Sequence, residues 1–161
     1  MNIWESRNWE NYIDKEKKES RSGLRLRFQK GVDSEVRRAC IEFAKWLRSE
    51  YEFPIRVPIY LKASEYVKTQ SGELVSAKIL QPYDINVEPY ITIATGDIKE
   101  IIDLDGKDTG LASVLGSIAH ELTHYFQWIN GIELTEEQSE RQAKYYRKRI
   151  ILLYSQTREH P

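Results

Sequence analysis

Residues 110–129, GLASVLGSIAHELTHYFQWI, decide the fold. At 100° per residue, Leu111, Leu115, Ile118, Leu122, Phe126 and Ile129 fall within about 60° of one line, the apolar stripe of an amphipathic helix. His120 and His124 lie at about 180° and 220° on the same wheel, away from that stripe. Ser113, Gly116 and Ser117 share their side, and residues this small let a second element approach and close a cleft over the histidines. Asn130-Gly131 ends the helix with a C-terminal cap signature.

His120-Glu121-Leu122-Thr123-His124 is an H-E-x-x-H motif. Residues i and i+4 sit one turn apart on one helix face, so two imidazoles so placed can bind one Zn²⁺. Glu121 points about 100° away from His120 and reaches a metal-bound water rather than the metal, where it can serve as general base. Composition alone predicts about 0.004 such matches in a chain with three His, so coincidence is a poor explanation. The rival reading is a pair of exposed helix histidines with no metal.

A catalytic zinc site ordinarily has three protein ligands and an open position. The third His, His160, sits at the end of the sequence, where order is least expected. A carboxylate is the better candidate. Downstream, Thr135 and Gln138 form a capping-box pair that starts a second helix running to about Tyr154. It offers Glu136, Glu137 and Glu140. Glu136 and Glu140 share a face with Ala143 and Arg147, bordering the apolar stripe Ala143, Tyr146, Ile150 and Leu153. The short link Asn130–Leu134 makes the two helices antiparallel neighbours.

An H-E-x-x-H helix followed by a helix bearing a Glu ligand resembles the gluzincin zinc metallopeptidases, especially the small single-domain minigluzincins. Several gluzincin groups carry the ligand Glu in an E-x-x-A pattern with an aromatic three residues further on, and Glu140-Arg-Gln-Ala143-Lys-Tyr-Tyr146 is similar to it. The resemblance covers roughly residues 88–155. It implies Glu140 as third ligand, with Glu136 as runner-up, and close approach of the helices at Ala143. It also implies a sheet whose edge strand binds extended peptide, and Tyr90–Gly96, just upstream of the motif helix, is similar to that strand in placement. Lys144 stands where related proteins often have Asn or Asp, so the pattern identifies no carboxylate that would orient a His ligand. Tyr125, Tyr145, Tyr146 and Tyr154 are all candidates for stabilising an oxyanion.

Upstream, Leu24, Leu26 and Phe28 alternate with Arg25 and Arg27 and predict a half-buried strand stopped at Gly31. Asp33 or Ser34 then caps a helix whose stripe is Val36, Cys40, Phe43, Ala44 and Leu47, which gives Cys40 a packing role. Pro58, in the extended segment Ile55–Leu61, predicts an edge strand or a break. Val75–Leu80 can be a strand, and Tyr90–Gly96 is the clearest strand signal. Asp103-Leu-Asp-Gly-Lys-Asp108 lacks the closing Glu of a calcium loop and reads as a turn, with Asp108 or Thr109 capping the next helix. These elements predict an α+β fold: a small mixed or antiparallel sheet, a helix in the N-terminal half, the H-E-x-x-H helix and a C-terminal helix carrying the third ligand. A charged segment, residues 1–22, precedes one metallopeptidase-like domain, residues 23–161, and the nearly all-charged Asp14–Arg21 reads as a solvated helical or loose segment.

Composition narrows the function classes. The hydrophobic fraction of 40% supplies a core, and a single Cys excludes a disulfide framework or a Cys-based zinc cluster. A formal net charge of −1 gives no general reason to expect nucleic acid or an acidic membrane surface, and the basic run Arg141–Arg149 reads as a solvated helix face. The start of the sequence has no basic region followed by an apolar run, and no stretch approaches a membrane span, so a cytoplasmic protein without signal or membrane partner is expected. The expected function is zinc-dependent hydrolysis of a peptide or protein substrate. His120, His124 and Glu140 hold Zn²⁺, Glu121 is the general base, and the strand near Ile91–Ala94 aligns the substrate. The alternatives are a metallopeptidase-like regulatory module with structural zinc or none, and a hydrolase acting on something other than peptides.

Overall fold

A two-residue period in burial organises the sheet, and a helical period organises everything packed on it. The computed structural model describes residues 2–14, 16 and 22–161. Along the chain it has β1 (Leu24–Phe28), α1 (Ser34–Glu50), β2 (Val57–Lys62), β3 (Val67–Lys68), β4 (Leu74–Val75), β5 (Ala77–Leu80), β6 (Tyr90–Ala94), α2 (Ile98–Asp105), α3 (Lys107–Ile129) and α4 (Glu136–Ser155). The fold is α+β. A mixed four-stranded sheet has the order β1-β2-β6-β5, and β3 and β4 form a separate antiparallel pair. β1, β2 and β6 are parallel, while β5 runs antiparallel to β6 at the end of the sheet. No helix among the described residues is long and apolar enough to cross a membrane.

Paired residues point to one face of a sheet. Leu24, Val57, Ile59, Leu61, Ile91 and Ile93 point inward and are buried against α1 and α3. α1 is capped by Asp33, whose side chain accepts from the Glu35 and Val36 amides, and it buries Val36, Cys40, Phe43, Ala44 and Leu47 as expected. Burial pushes the Cys40 thiol up to about 12. The start of the chain is also in the core: Ile3, Trp4, Trp9 and Ile13 are all buried. Trp4 packs on Phe126 and Tyr51, and its indole donates to Thr123 Oγ1 at 3.0 Å. Of the charged run Asp14–Arg21, Lys15 and residues 17–21 lie outside the described residues.

Two local expectations are corrected. Pro58 does not confine its strand to an edge, because β2 lies between β1 and β6. The Val57 amide bonds to Gly23 on the β1 side, so the Pro58 nitrogen faces β6. The β2–β6 register begins only at Ile59 with Ile91, and the missing N–H therefore falls just outside the ladder. Asp103–Asp105 is not a turn but the last residues of α2. The chain breaks at Gly106, whose φ of +91° interrupts helical geometry, and α3 resumes at Lys107 without a side-chain cap from Asp108 or Thr109.

Two measurements check this packing. Trp4→Phe keeps a six-membered ring but removes the donor and the smaller ring of the indole, so equilibrium denaturation should show a loss of about 1–2 kcal/mol, against about 3–5 kcal/mol for Trp4→Ala. A thiol reagent at pH 8 should leave Cys40 unmodified in the native protein and react with one equivalent after unfolding.

Candidate metal centre

Burial of the α3 stripe fixes where the motif points. Leu111, Leu115, Ile118, Leu122, Phe126 and Ile129 are all buried, which turns His120 and His124 towards α4. The link between the helices is short and pinned. Asn130 donates to the Phe126 carbonyl and accepts from the Trp9 amide. The Thr135–Gln138 capping box then starts α4, as its sequence predicts. α4 lies close along α3 because the facing residues are small. Ala143 is fully buried, and a Cβ on Gly116 would sit 2.8 Å from Arg147 Nε.

This approach brings Glu140, and not Glu136, to the histidine pair. Glu140 Oε2 lies 3.1 Å from His120 Nε2, and Glu140 Oε1 lies 2.8 Å from His124 Nε2. Ligand atoms of these three residues all fall within 4.8 Å of one another, a group that could hold a metal ion. The spacing suits such an ion. Ligands bound at about 2.1 Å in a tetrahedron lie about 3.4 Å apart, so a small opening of the observed contacts admits one. His120 and His124 offer one nitrogen each to that point, and burial lowers the basicity of His120 against the pull of Glu140, which favours the neutral ligand form. Glu136 lines the cleft beside the group without joining it. His160 is elsewhere, bonded to Asp108 on the surface.

His124 is also held from its other side, and sequence reasoning missed how. Its Nδ1 meets Gln127 Oε1 at 2.9 Å and Ser139 Oγ at 3.0 Å. Gln127 in turn donates to the Ser139 carbonyl and to Gln142 Oε1. A search for a carboxylate on the second helix could not find this support, which comes from an amide on the motif helix itself. The available signal is spacing: Gln127 lies three residues past His124, on the same helix face.

Glu121 does not join the three converging residues. The residue is only 7% exposed, and burial pushes its carboxyl up to about 7, against the opposing charges of His124 and Arg147. It lines a cleft of about 830 Å³ together with His124, Gln127, Trp128, Glu140 and Ala77, Lys78 and Ile79 of β5. Such a carboxyl can take up and release a proton near neutral pH.

Two expectations about the cleft are corrected. Tyr90–Ala94 is not an edge strand, because β6 is paired with β2 on one side and β5 on the other and has no free main-chain edge. The strand beside the cleft is β5, with Ala77, Lys78 and Ile79 among the lining residues. It is tied to the motif helix by Gln81, which donates to the His124 carbonyl, and by Trp128, which donates to the Pro82 carbonyl. None of Tyr125, Tyr145, Tyr146 and Tyr154 lines the cleft. Tyr125 is fully buried, with its hydroxyl bonded to the Ile55 main chain, and Tyr145 is 60% exposed.

No protein-family model matches the chain, and no curated protein or solved structure matches it at a significant level. The bond from Gln127 to His124 has a measurable consequence. Gln127→Leu should weaken binding of added Zn²⁺ about 10- to 100-fold in a calorimetric titration, as loss of an orienting partner does elsewhere; unchanged affinity would mean that His124 needs no such support.

Proposed function

We propose that the protein is a zinc-dependent peptidase of the gluzincin type. The observation that carries this reading is the convergence of His120, His124 and Glu140 on one point, with His124, Glu140 and the buried Glu121 lining one open cleft. Glu140 is the residue that the gluzincin pattern selects. Two imidazoles and a carboxylate suit Zn²⁺, and Cys40, buried in the core, offers no thiolate to compete. Three donors converge among the described residues and Glu136 is not one of them, so the donor count leaves a fourth position for water or substrate, as in catalytic rather than structural sites. Bound there, zinc would lower the pKa of water and polarise a carbonyl.

The residues of the chain supply the rest. Glu121 takes a proton from the attacking water and returns it to the leaving amine, a role for which a carboxyl shifted towards neutrality is suited. Gln127 and Ser139 fix the ring of His124, and Glu140 spans both imidazoles. β5 is the terminal strand of its sheet, and among the described residues nothing pairs with its outer side. An extended peptide added there would run along the cleft and present its backbone to the site by strand addition.

The test uses purified, zinc-loaded protein and a peptide library. Glu121→Gln should lower the rate of cleavage at least about 100-fold while the bound zinc is retained. His124→Ala should lose zinc and activity together. Full activity in Glu121→Gln, or a zinc content well below one equivalent that His124→Ala does not lower further, would overturn the reading.

A further inference from the structure

The sheet has a second face, and it does not look like the first. Arg25 and Arg27 on β1, Tyr60 and Lys62 on β2, Tyr90 and Thr92 on β6 and Lys78 on β5 all point away from the core, in register across the four strands. Among the described residues, no helix contributes to the lining of this side. The β3–β4 pair stands along it and turns the flat face into a groove of about 510 Å³, to which it contributes Val67 and Lys68. Lys62, Lys68 and Lys78 line the groove with the two tyrosines, and none of its lining residues among those described is a carboxylate.

This segregation is not a consequence of composition. The chain has 24 Lys and Arg against 25 Asp and Glu, yet the outward positions of the strands carry Arg25, Arg27, Lys62 and Lys78 and no acid. The metal-centre cleft is lined instead by Glu121, Glu133, Glu136 and Glu140, with Lys78 common to both. The aromatics are arranged as well. Tyr60 and Tyr90 meet edge to face, with centroids 5.9 Å apart at 87°, and Lys62 Nζ sits 5.6 Å from the Tyr60 ring. Lys78 reaches across the groove to the Lys68 carbonyl.

We propose that this face binds single-stranded nucleic acid, with phosphates on the lysines and bases against Tyr60 and Tyr90. Cations flanking aromatic rings on an uncovered sheet are the combination that single strands require, since unpaired bases expose their faces for stacking. A duplex hides those faces inside its own stack, and an acidic peptide would satisfy the lysines but leave the rings without a planar partner. Among their lining residues the groove and the metal-centre cleft share only Lys78, and the proposal does not depend on the peptidase reading.

Fluorescence anisotropy with a labelled oligothymidylate of about fifteen nucleotides tests it. Binding should weaken with salt, with a slope of log K against log salt near −2 for about three phosphate contacts. Lys62→Ala and Lys78→Ala should each lower the affinity and flatten that slope by about 0.7. Tyr60→Leu should weaken binding about ten-fold at an unchanged slope, while Tyr60→Phe, which keeps the ring, should bind as the parent does. Glu121→Gln should bind normally, which separates this surface from the cleft. Thermal melts accompany each variant to establish that it is folded. The proposal is overturned by absence of binding at low salt. It is equally overturned by unaltered affinity in the lysine variants, or by heparin and oligonucleotide binding alike with Tyr60→Leu indifferent, which would mark a simple polyanion surface.

Discussion

The contact between α3 and α4 is the constraint on which the rest depends. Glu140 can meet both imidazole Nε2 atoms only if its helix lies close along the motif helix, and bulky residues at the seam would push it away. Ala143 and Gly116 remove that obstacle. The apolar stripe of α3 then acts as the opposing jaw: because it is buried against the sheet and α1, the helix cannot roll to relieve the crowding. The orientation of the histidines follows from packing that contains no histidine.

Around this seam several buried polar groups are partnered in a way that makes the site stiff. Thr123 accepts from Trp4 and donates to the Ala119 carbonyl. Asn130 joins the end of α3 to the start of the chain, and Gln127 joins His124 to α4. The bonds of Trp4, Thr123 and Asn130 are buried, where an unmade partner costs more than a made one gains. Residues 2–13 therefore brace the motif helix from the side away from the cleft.

Much of this was legible in the sequence where a period and a chemistry coincided. The stripe of α3, the i and i+4 histidines, the capping box at Thr135 and the Ala143 pattern each rest on a few nearby residues, and each is present in the structure. What could not be read depended on tertiary placement. Whether β6 is an edge strand is decided by β5, a four-residue strand with weak local signal. Pro58 is harmless only because the neighbouring ladder begins one residue later. The support of His124 by Gln127 needed side-chain geometry rather than spacing alone, and α2 was hidden by the glycine that ends it. Net charge is a further case: a sum near zero says nothing of how the two signs are sorted over a surface.

Glu140 stands 20 residues beyond His120, on the far side of a helix-to-helix turn. An ion shared by these residues would be a crosslink between two helices as well as a reagent. It would bind the native arrangement and find no equivalent in the unfolded chain, so loading would add to the free energy of unfolding by mass action. Folding and metal supply would thereby be coupled: at the α3–α4 hairpin, the availability of an ion would set how long the molecule survives.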